Sequence, residues 1–154
     1  MDARELALEI AKIADEKNGT DIVILDLRGI SDVADFFVIA TGANNRLVDA
    51  LVDEVENQLR PKGVSAFAIE GRQDNTWALM DFGAVIAHFF QPDTRALYRL
   101  ERLWGDAGRI ELTAEGEFIE TPRSDSDRVR NIDLIKEDFD EITQAANELI
   151  VDEE

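Results

Sequence analysis

Residues 77–104 read WALMDFGAVIAHFFQPDTRALYRLERLW, which predicts a β-hairpin followed by a helix. Two apolar runs, Trp77 to Met80 and Val85 to Phe90, flank a tight turn at Phe82-Gly83. A helix over 94–104 follows the second run. The stretch contains both tryptophans, the only tyrosine and the only histidine of the chain. Because large rings supply much of the area of cores and binding surfaces, we expect folding and function to meet here.

The chain before this hairpin alternates between helix-like and strand-like patterns. Apolar residues at helical spacing predict amphipathic helices over 2–18 and from about residue 45 to 59. Nearly continuous apolar runs predict strands at 20–27, 35–41 and 64–70, and the first two are predicted to be buried on both faces. The order α-β-β-α-β-β-β-α predicts one α/β domain over residues 1–107, with a mixed five-stranded sheet flanked by helices.

The sequence changes character after Gly105 and forms an acidic C-terminal extension. Residues 108–131 are rich in polar residues and predict a linker or a loosely docked segment. From Ile132, apolar residues recur at spacings of 3, 4, 3, 4 and 3, which predicts an amphipathic helix over 132–150. Such a helix could pack on its own domain, bind a partner or dimerise, and the pattern leaves these alternatives open.

The charge and composition of the chain limit its partners. The net charge is −18; residues 1–104 carry 18 acidic and 11 basic side chains, and residues 105–154 carry 16 and 5. Sequence-specific nucleic-acid binding is not expected, because it requires a concentrated basic patch. The acidic surface favours a basic protein partner, or serves solubility alone. With no apolar run of membrane-spanning length and no signal peptide, the sequence predicts a cytoplasmic protein without membrane contact.

Carboxylates near strand ends are the main candidates for catalysis. Asp26, Asp35 and Asp81 lie at such positions, where they could bind a metal or act as a base. No DxD pair, HExxH motif or second histidine accompanies them, and the absence of cysteine excludes thiolate sites. Residues 41–46 join a strand to a helix but lack the GK[ST] of a phosphate-binding loop. We therefore predict no enzyme, no cofactor and no metal site.

Both faces of the predicted hairpin are largely apolar. With a two-residue loop at Phe82-Gly83, Trp77 would lie opposite His88, on the same side as Leu79 and Asp81. One side must cover the core, and the other needs a helix or a partner. A single histidine beside an aromatic ring is more typical of a structural or interface residue than of a catalytic one.

The helix predicted over 94–104 has two distinct sides. Tyr98 and Glu101 are predicted to point outward, as surface or interface residues. The inward side is predicted to comprise Leu97, Leu100 and either Trp104 or Leu103.

Several stretches together resemble the ribosomal silencing factor family, whose members are also called Iojap-like proteins. The matching stretches are DIVILDLRGIS (21–31), ADFFVIATG (34–42), LVDALVDEVENQL (47–59), EG (70–71), WALMDFG (77–83), VIAH (85–88) and RALYRLERLWGDA (95–107). They occur in the order and spacing of the family and cover about residues 1–107. No single stretch is decisive, but the set is specific.

The resemblance implies a fold related to nucleotidyltransferases without their catalytic residues. It also implies a translational repressor that binds the large ribosomal subunit through ribosomal protein fourteen and sterically blocks association of the ribosomal subunits. The family's motif positions map onto partner-binding residues Trp77, Leu79, Asp81, His88, Tyr98, Glu101 and Trp104. The family usually has tyrosine at Phe82 and an acidic residue at Ala84, which implies that this chain could bind its partner less tightly or in a different orientation.

Two other functions are compatible with the residues. A metal-dependent nucleotidyl- or phosphoryl-transferase would use the strand-end carboxylates, although it would need a metal-binding acidic pair on one strand. An assembly factor could form a homodimer through the seam at 132–149, and a homodimer would also be compatible with ribosome silencing.

Overall fold

The computed structural model describes residues 1–122, which fold around one mixed β-sheet with helices on both faces. The helices are α1 (Ala3–Glu16), α2 (Asn45–Leu59), α3 (Pro92–Tyr98) and α4 (Leu100–Leu103), with a 3-10 turn at Arg60–Lys62. The strands are β1 (Thr20–Asp26), β2 (Phe36–Thr41), β3 (Ala68–Glu70), β4 (Trp77–Asp81), β5 (Val85–Phe90), β6 (Gly108–Leu112) and β7 (Phe118–Thr121). The predicted α/β class and mixed sheet are confirmed.

The sheet has seven strands in the order β3-β4-β5-β2-β1-β6-β7, so the prediction of five strands is wrong. Only β2 and β5 pair in parallel; all other neighbouring strands in this sheet are antiparallel. The two additional strands lie within the stretch predicted as a linker or loosely docked segment. They are short and partly polar, and β6 is aligned by pairing with β1, about 80 residues earlier in the chain. The helix predicted over 132–150 lies outside the described residues, and the relation to nucleotidyltransferases stays a prediction.

Local capping explains where the two long helices begin. The Asp2 carboxylate accepts the backbone N–H of Glu5 at 2.8 Å, and the Glu5 carboxylate accepts the backbone N–H of Asp2, which forms a capping box for α1. The Asn44 side chain accepts the N–H of Leu47 at 2.9 Å and caps α2. Both helices bury their apolar stripes against one face of the sheet, hereafter the first face.

The second face of the sheet is covered by α4, by Trp104 and by the loop over residues 27–34. In β2, Phe36 and Val38 join the core under α1 and α2, whereas Phe37 and Ile39 join the core on the second face. Because both faces are covered, every residue of β2 is buried, and all of them except Thr41 are apolar.

The register of the β4–β5 hairpin differs from the prediction by two residues. Leu79, not Trp77, pairs with His88. The N–H of Phe82 donates to the carbonyl oxygen of Val85 at 2.9 Å, so the two loop residues are Gly83-Ala84. Gly83 has φ +88°, which suits the glycine at the first position of a type II′ turn. A shift of two residues keeps each side chain on its face, so Trp77 and His88 still share the second face.

The single helix predicted over 94–104 is interrupted at Arg99, which has φ +49°. The left-handed residue ends α3 and changes the helical phase before α4. Leu97 is consequently 75% exposed, so its predicted inward position is wrong. Leu100 and Trp104 are buried against the second face, as predicted.

Candidate functional site

Six rings form a continuous layer on the second face, and we call it the aromatic layer. Its members are Phe37, Trp77, His88, Phe90, Tyr98 and Trp104. The ring of Trp77 stacks on Phe90 at a centroid distance of 4.9 Å and contacts Tyr98 at the same distance. His88 meets the ring of Phe37 at 4.6 Å in an edge-on arrangement. Such ring pairs add stability beyond the area that they bury, so the layer is a rigid support.

A hydrogen bond joins two members of this layer, which are each 2% exposed. Trp77 Nε1 donates to His88 Nδ1 at 3.1 Å, so the neutral imidazole carries its proton on Nε2. Burial lowers the pKa of His88 to about 3, so the ring is neutral at physiological pH. Its Nε2 has no hydrogen-bond partner among the described residues. This geometry suits a structural histidine that orients Trp77, and it provides no carboxylate to assist proton transfer.

The exposed edge of the second face lies at strands β3 and β4. Cross-strand pairing places Glu70 beside Leu79 on this face, and Asp81 lies two residues further along β4. Tyr98 adjoins them because its ring packs against Trp77 at an interplanar angle of 42°, and Trp77 is the other neighbour of Leu79 on that face of β4. We call these four partly exposed residues, Glu70, Leu79, Asp81 and Tyr98, the β3–β4 surface. It has an apolar centre with a carboxylate on either strand.

The seven residues predicted to bind a partner fall into a partly exposed group and a buried group. Leu79, Asp81, Tyr98 and Glu101 are partly exposed, whereas Trp77, His88 and Trp104 are buried beneath them. The Asp81 carboxylate accepts the N–H of Gly83 at 2.7 Å and so also supports the hairpin turn. Without rearrangement, only the partly exposed group can touch a partner.

The sequence analysis missed Arg95, whose side chain contacts the end of β2 and α4. Arg95 Nε donates to Glu101 Oε1 at 3.1 Å, and Nη1 donates to Thr41 Oγ1 at 2.7 Å. A spacing of six residues is not a helical contact spacing, so no local pattern predicts the pair with Glu101. It forms because the chain turns at Arg99.

Within residues 1–122, no three His, Cys, Asp or Glu side chains are grouped so that they could hold a metal ion. Among the helices of the same part of the chain, none is long and apolar enough to cross a membrane.

The sequence model of the family described as "Ribosomal silencing factor during starvation" matches residues 1–138, most of the chain. This chain belongs to the ribosomal silencing factor family. The resemblance inferred from the sequence is thereby confirmed. Membership implies a ribosome-associated repressor of translation, and so indicates a regulatory role.

Curated relatives carry the same family name. The ribosomal silencing factor of Bacillus subtilis is 42% identical over 106 residues, which cover 68% of this chain and 90% of that protein. The factor of Halalkalibacterium halodurans is 38% identical over 112 residues, which cover 73% of this chain and 96% of the relative. The chloroplastic Iojap protein of Zea mays is 38% identical over 106 residues, 69% of this chain and 46% of that longer protein.

Solved structures of similar proteins support the fold of this silencing factor. A crystal structure of a Chromobacterium violaceum protein has a TM-score of 0.66 at 32% identity and covers 68% of this chain and 88% of its own. A crystal structure from Bacillus halodurans has a TM-score of 0.56 at 35% identity and covers 66% of this chain and 91% of its own.

Proposed function

We propose that this silencing factor binds ribosomal protein fourteen of the large subunit through the β3–β4 surface and thereby blocks association of the ribosomal subunits. Family membership supports the ribosome as the target. The observation that carries the choice of surface is a partly exposed apolar-acidic edge beside the buried rings of Trp77 and His88. It combines an apolar centre with a charged rim, which is the usual composition of a protein interface.

Charge complementarity supports a basic partner. Glu70 and Asp81 place carboxylates on the two strands beside Leu79, and the chain as a whole has a net charge of −18. Long-range attraction of this kind raises the rate of association with a basic ribosomal protein and disfavours bare RNA, whose phosphates would be repelled. The apolar contacts of Leu79 and Tyr98 would then contribute most to the lifetime of the complex.

The buried members of the predicted site have a supporting role in this proposal. Trp77 and His88 are held by their hydrogen bond, and Trp104 packs against Phe37. A surface that is already rigid loses little conformational entropy when a partner binds. We therefore assign contact to Leu79, Asp81 and Tyr98, and support to the three buried rings. Glu101, whose Oε1 accepts from Arg95 Nε at 3.1 Å, lies outside the β3–β4 surface.

The repression would be steric. A folded domain on the face of ribosomal protein fourteen that meets the small subunit occupies surface needed for subunit joining. No catalytic step is required, and the effect should increase with the fraction of large subunits that carry the factor.

Co-sedimentation with purified large subunits tests the proposal, followed by a joining assay with small subunits. The wild-type protein should migrate with large subunits and reduce the fraction of joined ribosomes. Leu79→Lys should weaken binding at least tenfold, because it places a cation in the apolar centre facing a basic partner. Leu47→Lys is the matched control, since Leu47 is a partly exposed leucine on α2, across the sheet.

Two outcomes would contradict different parts of the proposal. If the wild-type protein does not migrate with large subunits, or leaves joining unchanged, the proposed function is wrong. If Leu79→Lys binds as tightly as the wild-type protein while both remain folded, the choice of surface is wrong.

A further inference from the structure

Helix α3 has one main apolar attachment to the described domain, the ring of Tyr98 against the core of the second face. It is seven residues long and none of its residues is fully buried. The side chain of its N-terminal cap residue, Gln91, does not bond to the helix but donates to the carbonyl oxygen of Asn75 at 2.9 Å. A helix of this length is not stable in water without tertiary contacts. Its position must therefore come from the partly buried side chains that it directs towards the sheet.

Arg95 is the main polar attachment of this helix. Its side chain is only 12% exposed. The guanidinium donates to Thr41 Oγ1, at the buried end of β2, and to Glu101 Oε1 on α4. One planar group thus connects the sheet, α3 and α4, which the single ammonium of a lysine cannot do with the same geometry.

Tyr98 depends on this attachment. It lies three residues after Arg95, on the same side of α3, and its ring packs on Trp77 at a centroid distance of 4.9 Å. The next residue, Arg99, has φ +49° and breaks the helix, so continuity with α4 does not fix the orientation of Tyr98. Gln91 holds the start of α3 through hydrogen bonds to the carbonyl oxygens of Asn75 and Thr76. At the end of the helix that carries Tyr98, the side-chain constraints are the ring contact and the two hydrogen bonds of Arg95.

We propose that Arg95 is a positioning residue of the ribosome-binding surface, which holds Tyr98 beside Leu79 without touching the partner itself. This inference rests on the proposed function. It assigns part of the binding affinity to a side chain that is only 12% exposed.

The first test measures the affinity of the full chain for purified large subunits by co-sedimentation at fixed salt. Arg95→Met should weaken binding about tenfold or more, since it removes two charge-assisted hydrogen bonds, and Arg95→Lys should give an intermediate loss. Arg46→Met is the matched control, because Arg46 is exposed on α2 and the change in charge is the same. Wild-type affinity in Arg95→Met overturns the proposal.

A double-mutant cycle separates positioning from a general loss of stability. If Arg95 acts through Tyr98, Arg95→Met should cause little further loss of binding in a Tyr98→Ala background. Additive losses overturn the proposal. If Arg95→Met does not fold, Thr41→Val is the alternative variant, because it removes only the acceptor on the sheet. It should cause a smaller loss of binding affinity than the one expected for Arg95→Met. Unchanged binding by Thr41→Val would then refute the inference.

A structural measurement distinguishes failure of this inference from failure of the proposed function. In the free protein, packing on Trp77 should shift the ring resonances of Tyr98. Arg95→Met should move these resonances towards the values of an unpacked tyrosine, and Arg46→Met should not. If the wild-type protein does not bind large subunits, the proposed function is wrong. The Tyr98 resonances then decide by themselves whether Arg95 positions the ring. Unchanged resonances in Arg95→Met refute that positioning role.

Discussion

Acidification is expected to destabilise this protein through His88. The imidazole is buried among rings and donates no hydrogen bond within the described residues, so burial lowers its pKa to about 3. In the unfolded chain the same group has a pKa near 6.5. Between these values the unfolded state binds a proton that the folded state does not bind. The contribution of neutral His88 to the free energy of unfolding is therefore fully present above pH 6.5 and is lost as the pH falls towards 3.

The size of the effect follows from the two pKa values. Each pH unit below 6.5 costs about 1.4 kcal/mol of unfolding free energy until the folded pKa is reached. Lowering the pH from 7.5 to 5.0 should therefore remove about 2 kcal/mol through this residue. That is a large part of the stability of a typical small domain.

Urea denaturation at pH 7.5, 6.0 and 5.0 measures this loss, at 25 °C and constant ionic strength. The buried Trp77 and Trp104 make fluorescence a suitable signal. His88→Asn is the control, because its amide oxygen can accept the Trp77 N–H and does not titrate. The carboxylates titrate in both proteins, so their contribution cancels in the difference. Between pH 7.5 and 5.0, the free energy of unfolding of the wild-type protein should fall by about 2 kcal/mol more than that of the variant. If the two proteins show parallel pH dependences, His88 is not the source of the loss.

Two further predictions concern backbone features. Gly71→Ala should destabilise the fold by at least about 2 kcal/mol in urea denaturation, because Gly71 has φ +81° and a Cβ would overlap a carbonyl oxygen of β4. Gly63→Ala, with φ +76° and open space around it, should cost only about 1 kcal/mol, and equal losses would contradict the role of the overlap. Asn44→Ala should cost about 1 kcal/mol by removing the cap of α2. Asn45→Ala, at the exposed first helical position, should be close to neutral, and a similar loss there would argue against the cap.

Features that depend on neighbouring residues could be predicted from the sequence. The apolar stripe of α2 involves residues within a few positions of one another. The buried parts of β1 and β2 were predictable for the same reason, since a stretch of strand covered on both faces is nearly all apolar.

Features that depend on distant residues could not be predicted. Strand β6 exists because it pairs with β1, and its five residues, GRIEL, carry too little apolar character to indicate a strand alone. The predicted hairpin register was wrong by two residues, because several turns are compatible with the sequence around Gly83. Pairing of the two strands selects one of these turns. The exposure of Leu97 follows from one left-handed residue, Arg99, which has no distinctive sequence signal.

The sequence predicted where the candidate site lies, but not which of its residues are buried. The concentration of rings and the family motifs in residues 77–104 indicate where the surface lies. Whether a motif residue such as Trp77 is a contact or a support depends on what covers it, which only the folded arrangement decides.

The sequence by itself determined the family, the α/β class and the position of the aromatic hairpin, because these are recorded in local periodicity and motif order. The tertiary structure alone decided the seven-stranded sheet, the burial of His88 and the link from Arg95 to Thr41 and Glu101. Each of these requires groups far apart in the chain to meet. Their meeting depends on the packing of the whole domain, which no short stretch of sequence specifies.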